Sequence, residues 1–144
     1  MALDKEPVKL SYALRVAKEY YPKDKYDHAM RVMQYVADNE MIQYEYREDC
    51  LALAVMHDLL EDTEYQASSY GLGECFFDAL ELLTKPKDMD YIEYIKKIHD
   101  TAYTNWRMCA WWVKLADMKD HLAQTETLTE KLRDKYLAAL PYLL

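Results

Sequence analysis

The sequence predicts an all-α protein: a single-domain bundle of about seven helices, without a strand. Three observations carry this. Two glycines and four prolines in 144 residues are too few for the many tight turns of a sandwich or barrel. The chain is 51% hydrophobic, which suits one compact core over residues 1–144 rather than two. Apolar side chains recur at three- and four-residue spacing, the period of a helix face.

The first helix is expected from about Val8 to Tyr20, with Leu10, Ala13, Leu14 and Ala17 on one face, stopped by Tyr21-Pro22. A second is expected from about Lys25 to Ile42. Its apolar positions Val32, Tyr35 and Val36 follow His28 by four, seven and eight residues, so His28 faces inward. The third, from about Tyr46 to Asp62, is apolar nearly all round and reads as a central, buried helix. A loop with Gly71 and Gly73 leads into a fourth, Glu74 to Leu83, which ends at Thr84-Lys85-Pro86. The fifth covers about Asp90 to Asp100. The sixth spans about Asn105 to Leu122 and places Asp117 in one row with Trp106, Ala110 and Val113, so Asp117 also points to the core. A last helix opens at Thr127-Leu128-Thr129-Glu130, which fits a capping box.

Composition excludes several classes. The formal charge of −8 argues against wrapping a nucleic-acid polymer, whose binding depends on Lys and Arg displacing counterions. No stretch approaches the roughly 18 uninterrupted apolar residues of a membrane span, and the N-terminus MALDKEPVKL has no apolar signal region. Cys50, Cys75 and Cys109 follow no C-x-x-C spacing and are expected as reduced thiols in a cytoplasmic protein. From Ala37 to Glu64 nine acids face one base, whereas the first 31 residues and the stretch Lys85–Lys119 each hold seven bases against five acids. An acidic centre between basic segments suits a cation with a small anion beside it. A homo-oligomer is left open, and a chain of this length is expected to stand alone, without an attached synthetase or regulatory region.

The stretch HDLLEDT, His57 to Thr63, puts one imidazole and three carboxylates into the oiliest helix. On a continuous helix His57 lies over Glu61 and Asp58 over Asp62. Carboxylates against Leu53, Val55, Leu59 and Leu60 need a positive partner, because an unpaired buried charge costs several kcal/mol or neutralises itself. The stretch has no Lys or Arg, so a divalent metal is the economical answer, with imidazole and carboxylate as ligands. Two inward ligand types on other helices, His28 and Asp117, complete a site H…HD…D: His28, His57, Asp58 and Asp117 from three helices, with positions left open for water and substrate. His99-Asp100 is a second His-Asp pair, expected to be a solvated helix end among Lys96, Lys97 and Thr101.

With these residues in place, HDLLEDT, GECFFDALELLTK (Gly73 to Lys85) and VKLADMKDHL (Val113 to Leu122) resemble, in order, the HD-domain metal-dependent phosphohydrolases. Among these they resemble the hydrolase domain of the RelA/SpoT family and the small alarmone hydrolases. That branch carries HD-x-x-ED-T, F-G-x-x-V…V-T-K and K-L-A-D-R-L-H-N, and the likeness covers about His28 to Leu122. The resemblance implies an HD-type fold and an enzyme that uses one divalent metal, Mn²⁺, to remove the 3′-pyrophosphate from guanosine tetra- or pentaphosphate. It implies His28, His57, Asp58 and Asp117 as metal ligands, and Glu61 and Asp62 as the pair that positions or deprotonates the attacking water.

Two departures from the family pattern stand out. The Arg-Lys-x-Gly segment and His-Pro pair are replaced by KEYYPKDKYDHAM, in which Ala29 follows His28 and Lys18, Lys23 and Lys25 supply the charge. The terminal Asn of L-H-N is replaced by His121, which could hydrogen-bond the substrate, join the metal shell or cap the helix end. Lys85 and Lys114, near the motif blocks, and Lys135 and Tyr136 in the last helix are further substrate-binding candidates. The tryptophans and most tyrosines are expected to pack the bundle. The competing expectations are an HD-type nucleotidase acting on nucleoside or deoxynucleoside phosphates, and a non-catalytic nucleotide-binding module.

Overall fold

Tyr21 and Pro22 part the first two helices, as expected: α1 runs Leu10–Tyr20 and α2 runs Lys23–Asp38, in a computed structural model that describes residues 8–144. The first seven residues of the domain expected over 1–144 lie outside the described residues. After a 3-10 turn at Tyr44–Tyr46 follow α3 (Arg47–Met56), α4 (Leu59–Asp62), α5 (Ser69–Leu72), α6 (Glu74–Leu82), α7 (Tyr91–Asp100), α8 (Asn105–Ala123) and α9 (Glu130–Leu143). Among the described residues no strand occurs, and no helix is long and apolar enough to cross a membrane.

Besides the short helix α5, which stands where a loop was expected, three local outcomes differ from the sequence reading. Helix α2 ends at Asp38 rather than Ile42, because the Asn39 side-chain oxygen accepts the Met41 N–H at 2.9 Å and turns the chain. The cap of α9 is Thr129, whose hydroxyl oxygen accepts the Leu132 N–H at 3.1 Å, and not Thr127. The third deviation matters most: the helix expected over Tyr46–Asp62 is broken at His57-Asp58. No Pro or Gly lies there. Instead the buried Tyr21 hydroxyl enters the helix, donating to the Val55 C=O at 2.9 Å and accepting the Asp58 N–H at 3.1 Å. His57 Nδ1–H donates to the Ala54 C=O at 2.7 Å, the acceptor an uninterrupted helix would offer to Asp58. His57 and Asp58 therefore do not share a regular helix with Glu61 and Asp62.

Between α5 and α6, Gly73 adopts φ 86°, a left-handed value that L side chains rarely take and that lets α6 start at once. Ser68 caps the short α5 by accepting the Gly71 N–H at 3.1 Å.

Helix α3 is central and packs against α1, α2, α6 and α8. Its Ala52 and Ala54 are fully buried and small enough for neighbouring helices to approach closely. Leu53, Val55 and Met56 fill the space around them, each stabilising the fold by about 1.5–3 kcal/mol. Helix α9 closes the bundle against α7 and α8, with Trp111 donating its indole N–H to the Leu143 C=O at 2.8 Å. The C-terminal part of α3, the N-terminal half of α2 and the C-terminal half of α8 meet in one place, and the buried His28, His57, Lys114, Asp117 and Asp120 collect there.

Candidate metal centre

The four residues converge as the sequence reading expects, but His57 and Asp58 stand in the break between α3 and α4 rather than within a helix. His28 comes from α2, His57 follows the end of α3, Asp58 precedes α4, and Asp117 comes from α8. One ligand atom from each lies within 4.8 Å of all the others. His28 Nε2 is 2.8 Å and His57 Nε2 3.1 Å from the same oxygen, Asp117 Oδ1. Asp58 Oδ2 is 3.2 Å from His57 Nε2 and 3.7 Å from His28 Nε2. His28, His57 and Asp117 are buried, while Asp58 is partly open, which gives the cluster one side toward solvent.

The far nitrogens decide what this cluster can hold. A backbone carbonyl only accepts, so His57 Nδ1 must carry the hydrogen it gives to Ala54. His28 Nδ1 lies 2.6 Å from Asp120 Oδ2, and Asp120 is an ionised acceptor that also takes two hydrogen bonds from Arg31, at 2.8 Å to Nε and 3.1 Å to Nη2. In the neutral imidazoles both Nε2 atoms therefore present lone pairs, aimed at carboxylate lone pairs about 3 Å away. That arrangement repels itself unless a positive charge sits among the four atoms, as an imidazolium proton or as a cation. Two imidazole nitrogens whose other ring nitrogens are hydrogen-bonded, with the carboxylates of Asp58 and Asp117, could hold a metal ion, and this donor set suits a divalent one.

The electrostatics agree. Burial alone would lower the His57 imidazole, but the adjoining Asp58 and Asp117 carboxylates outweigh it and hold it well above its ordinary value. Burial would raise Asp117, yet Lys114, then His121, His28 and His57, pull it well below the usual carboxylate range. The buried Lys114 ammonium donates to Asp117 Oδ2 at 2.8 Å and lies under the rings of Tyr91 and Tyr94. It supplies one of the positive partners that HDLLEDT lacks, and it leaves Asp117 Oδ1 for the cluster.

The remaining candidates fall into three groups. Glu61 and Asp62 are exposed on α4 beside the centre rather than stacked over His57 and Asp58. Glu61 Oε1 accepts the Lys85 backbone N–H at 2.9 Å, and Asp62 Oδ2 pairs with Lys25 Nζ at 3.1 Å. His121, partly exposed, places Nε2 3.2 Å from Asp117 Oδ1 and stacks between His28 and Tyr136, with ring centroids 4.5 and 4.8 Å apart. Lys25, His28, Arg31, Asp120, His121 and Tyr136 line a cleft of about 370 Å³ between α2, α8 and α9.

Lys135 Nζ lies 4.3 Å from the centre of the Tyr91 ring, and burial, with Lys114 and Lys85 nearby, lowers its pKa. The Lys85 ammonium, by contrast, is turned into its own loop, donating to the Pro86 and Met89 carbonyls. Lys18 is exposed with its ammonium over the Tyr26 ring. His99-Asp100 is an exposed pair outside the cluster.

The sequence reading missed Asp120, Arg31 and Tyr21. Asp120 and Arg31 each stand three residues beyond a candidate ligand, Asp117 and His28, so helical spacing was the available signal. Nothing in the sequence marks Tyr21, which acts across the bundle on α3. No model of a known protein family matches the chain, and no curated protein matches it.

Proposed function

We propose that this protein is a divalent-metal-dependent phosphohydrolase, and that its substrate is guanosine tetra- or pentaphosphate, cleaved to GDP or GTP and pyrophosphate with Mn²⁺. The observation that carries the reading is the four-residue cluster whose two Nε2 atoms face two carboxylates while both Nδ1 atoms are committed elsewhere. His28, His57, Asp58 and Asp117 would hold the metal. When bound, it supplies positive charge that acidifies a water and offsets charge developing on phosphoryl oxygens.

The chain's own residues supply the rest. With Oε1 held by Lys85 N–H, Glu61 keeps Oε2 to accept a proton from the attacking water. The water oxygen forms a bond to the 3′-linked phosphorus. The bond from that phosphorus to the ribose 3′ oxygen breaks, and this oxygen leaves as a hydroxyl by taking a proton from solvent, while the proton on Glu61 returns to solvent. Asp62, paired with Lys25, would be the second acid that positions the water. Lys114 and Lys135 provide positive charge on the α8–α9 side, while Tyr136 and His121 offer a stacked surface at the cleft.

One observation favours a second reading, a nucleotidase for nucleoside or deoxynucleoside phosphates. Much of the basic charge near the centre is already paired: Lys25 with Asp62, Arg31 with Asp120 and Lys114 with Asp117. That leaves less for a substrate bearing two pyrophosphates than for one bearing a single phosphate. Product analysis separates the two. With Mn²⁺, guanosine tetraphosphate should yield GDP and pyrophosphate. Inorganic phosphate from a panel of 5′-monophosphates, without turnover of the tetraphosphate, would replace the substrate. Affinity without product from either would leave a binding module. Glu61→Gln should keep Mn²⁺ bound while lowering kcat by about 100-fold or more; full activity in that variant would remove Glu61 from the chemistry.

A further inference from the structure

We infer that Asp120 and Arg31 are positioning residues for His28: together they set its tautomer and ring orientation and thereby the metal affinity of the centre. The inference rests on the metal centre proposed above and extends it to two residues outside the four-ligand set.

Asp120 is fully buried, where a carboxylate is costly unless its oxygens are satisfied. Each oxygen is engaged. Oδ2 takes the His28 Nδ1–H at 2.6 Å and Arg31 Nη2 at 3.1 Å, while Oδ1 takes Arg31 Nε at 2.8 Å and Gln124 Nε2 at 3.4 Å. The forked guanidinium fixes the plane of the carboxylate, and the carboxylate in turn fixes the plane of the imidazole. With Nδ1–H held in this way, Nε2 is left as the ligand atom, 2.8 Å from Asp117 Oδ1.

The spacing makes this a ladder between two helices. On α2, His28 and Arg31 are three residues apart, and on α8 Asp117 and Asp120 are three apart. Each pair occupies one helix face, so the Arg31–Asp120 rung keeps α2 and α8 in the register that brings His28 to Asp117. His57 has a different outer partner, the rigid Ala54 carbonyl of its own helix. Of the two imidazoles, His28 is the one whose ring hydrogen bond comes from a second helix, so its orientation responds to loss of Asp120 or Arg31.

A plain interhelical ion pair would also stabilise the bundle, so the test reads the metal and the imidazole. Mn²⁺ and Zn²⁺ affinities of the full chain are measured by calorimetry for the wild type, Asp120→Asn, Arg31→Gln and the double variant. The His28 ring is followed by long-range ¹H–¹⁵N correlation in the metal-free protein. Both single variants should bind metal roughly 10–100-fold more weakly and lose the Nδ1–H signature of His28. The double variant should be no weaker than Asp120→Asn alone, since Arg31 acts through Asp120.

The sign for Arg31→Gln is decisive. Removing a nearby positive charge should tighten cation binding if simple Coulomb repulsion governed, whereas loss of positioning weakens it. Unchanged or tighter binding in Arg31→Gln, or an unchanged His28 tautomer, overturns the inference. If Asp120→Asn fails to fold, Arg31→Gln still carries the test, because that side chain is 40% exposed. A wild-type protein that binds neither metal defeats the metal centre, and this inference with it.

Discussion

Replacing Tyr21 by Phe removes one oxygen and tests whether the break in the α3–α4 helix is built by that hydroxyl. Tyr21 is 7% exposed, and its oxygen makes two bonds, to the Val55 C=O at 2.9 Å and from the Asp58 N–H at 3.1 Å. Phe keeps the ring in the core but leaves a buried acceptor and a buried donor without a partner. Each costs about 1–2 kcal/mol, for a total of about 2–4 kcal/mol. In a domain of this size 1 kcal/mol moves the midpoint by about 3–4 °C, so Tm should fall by roughly 6–15 °C. The freed Asp58 N–H can recover a bond by turning toward Ala54, but His57 Nδ1–H already occupies that carbonyl. Recovery therefore carries His57 and Asp58 away from Asp117, and metal affinity should drop along with stability. Urea unfolding of the metal-free protein and Mn²⁺ calorimetry measure the two effects. A stability loss below about 0.5 kcal/mol with intact metal affinity would show that the break does not depend on Tyr21.

Three further outcomes are expected. Asp58→Ala removes a ligand rather than an outer partner, so its metal affinity should fall beyond the roughly 10–100-fold that loss of an outer hydrogen bond produces; near-wild-type affinity would place the metal elsewhere. Saturating the protein with Mn²⁺ at 100 times its Kd should add about 2.7 kcal/mol of stability that a chelator reverses, and an unfolding midpoint indifferent to both would refute the centre. Asp49, buried in the first turn of α3 with one carboxylate oxygen unpartnered, is pushed up from 3.8 to about 6 by burial and then by Glu48. The fold thus favours its protonated form. Its contribution is fully present below about pH 4 and is lost as pH rises through about 6, so the wild type should lose about 2 kcal/mol relative to Asp49→Asn between pH 4 and pH 7. Parallel pH profiles for the two proteins would show that Asp49 is not the cause.

Particular residues show how far the sequence could be read. His28 and Asp117 were legible as inward-facing side chains able to ligate because each sits in an apolar row whose period is set by the helix itself, and both are buried as that period requires. The helix end at Tyr20 was legible for a similar reason: Tyr21-Pro22 acts on its immediate neighbours. The Tyr46–Asp62 helix was read as unbroken because no residue within it forbids continuation. The break comes from a hydroxyl more than thirty residues earlier in the chain.

Local period and composition are enough for the helical class, the central place of α3 and the His and Asp side chains carried inward. Which nitrogen of each imidazole faces the centre, where HDLLEDT turns, and how Arg31 and Asp120 join α2 to α8 come from packing between distant segments. Those depend on hydrogen bonds between segments tens of residues apart. A hydrogen bond forms within about 3 Å or not at all, and only the packed chain brings donor and acceptor that close.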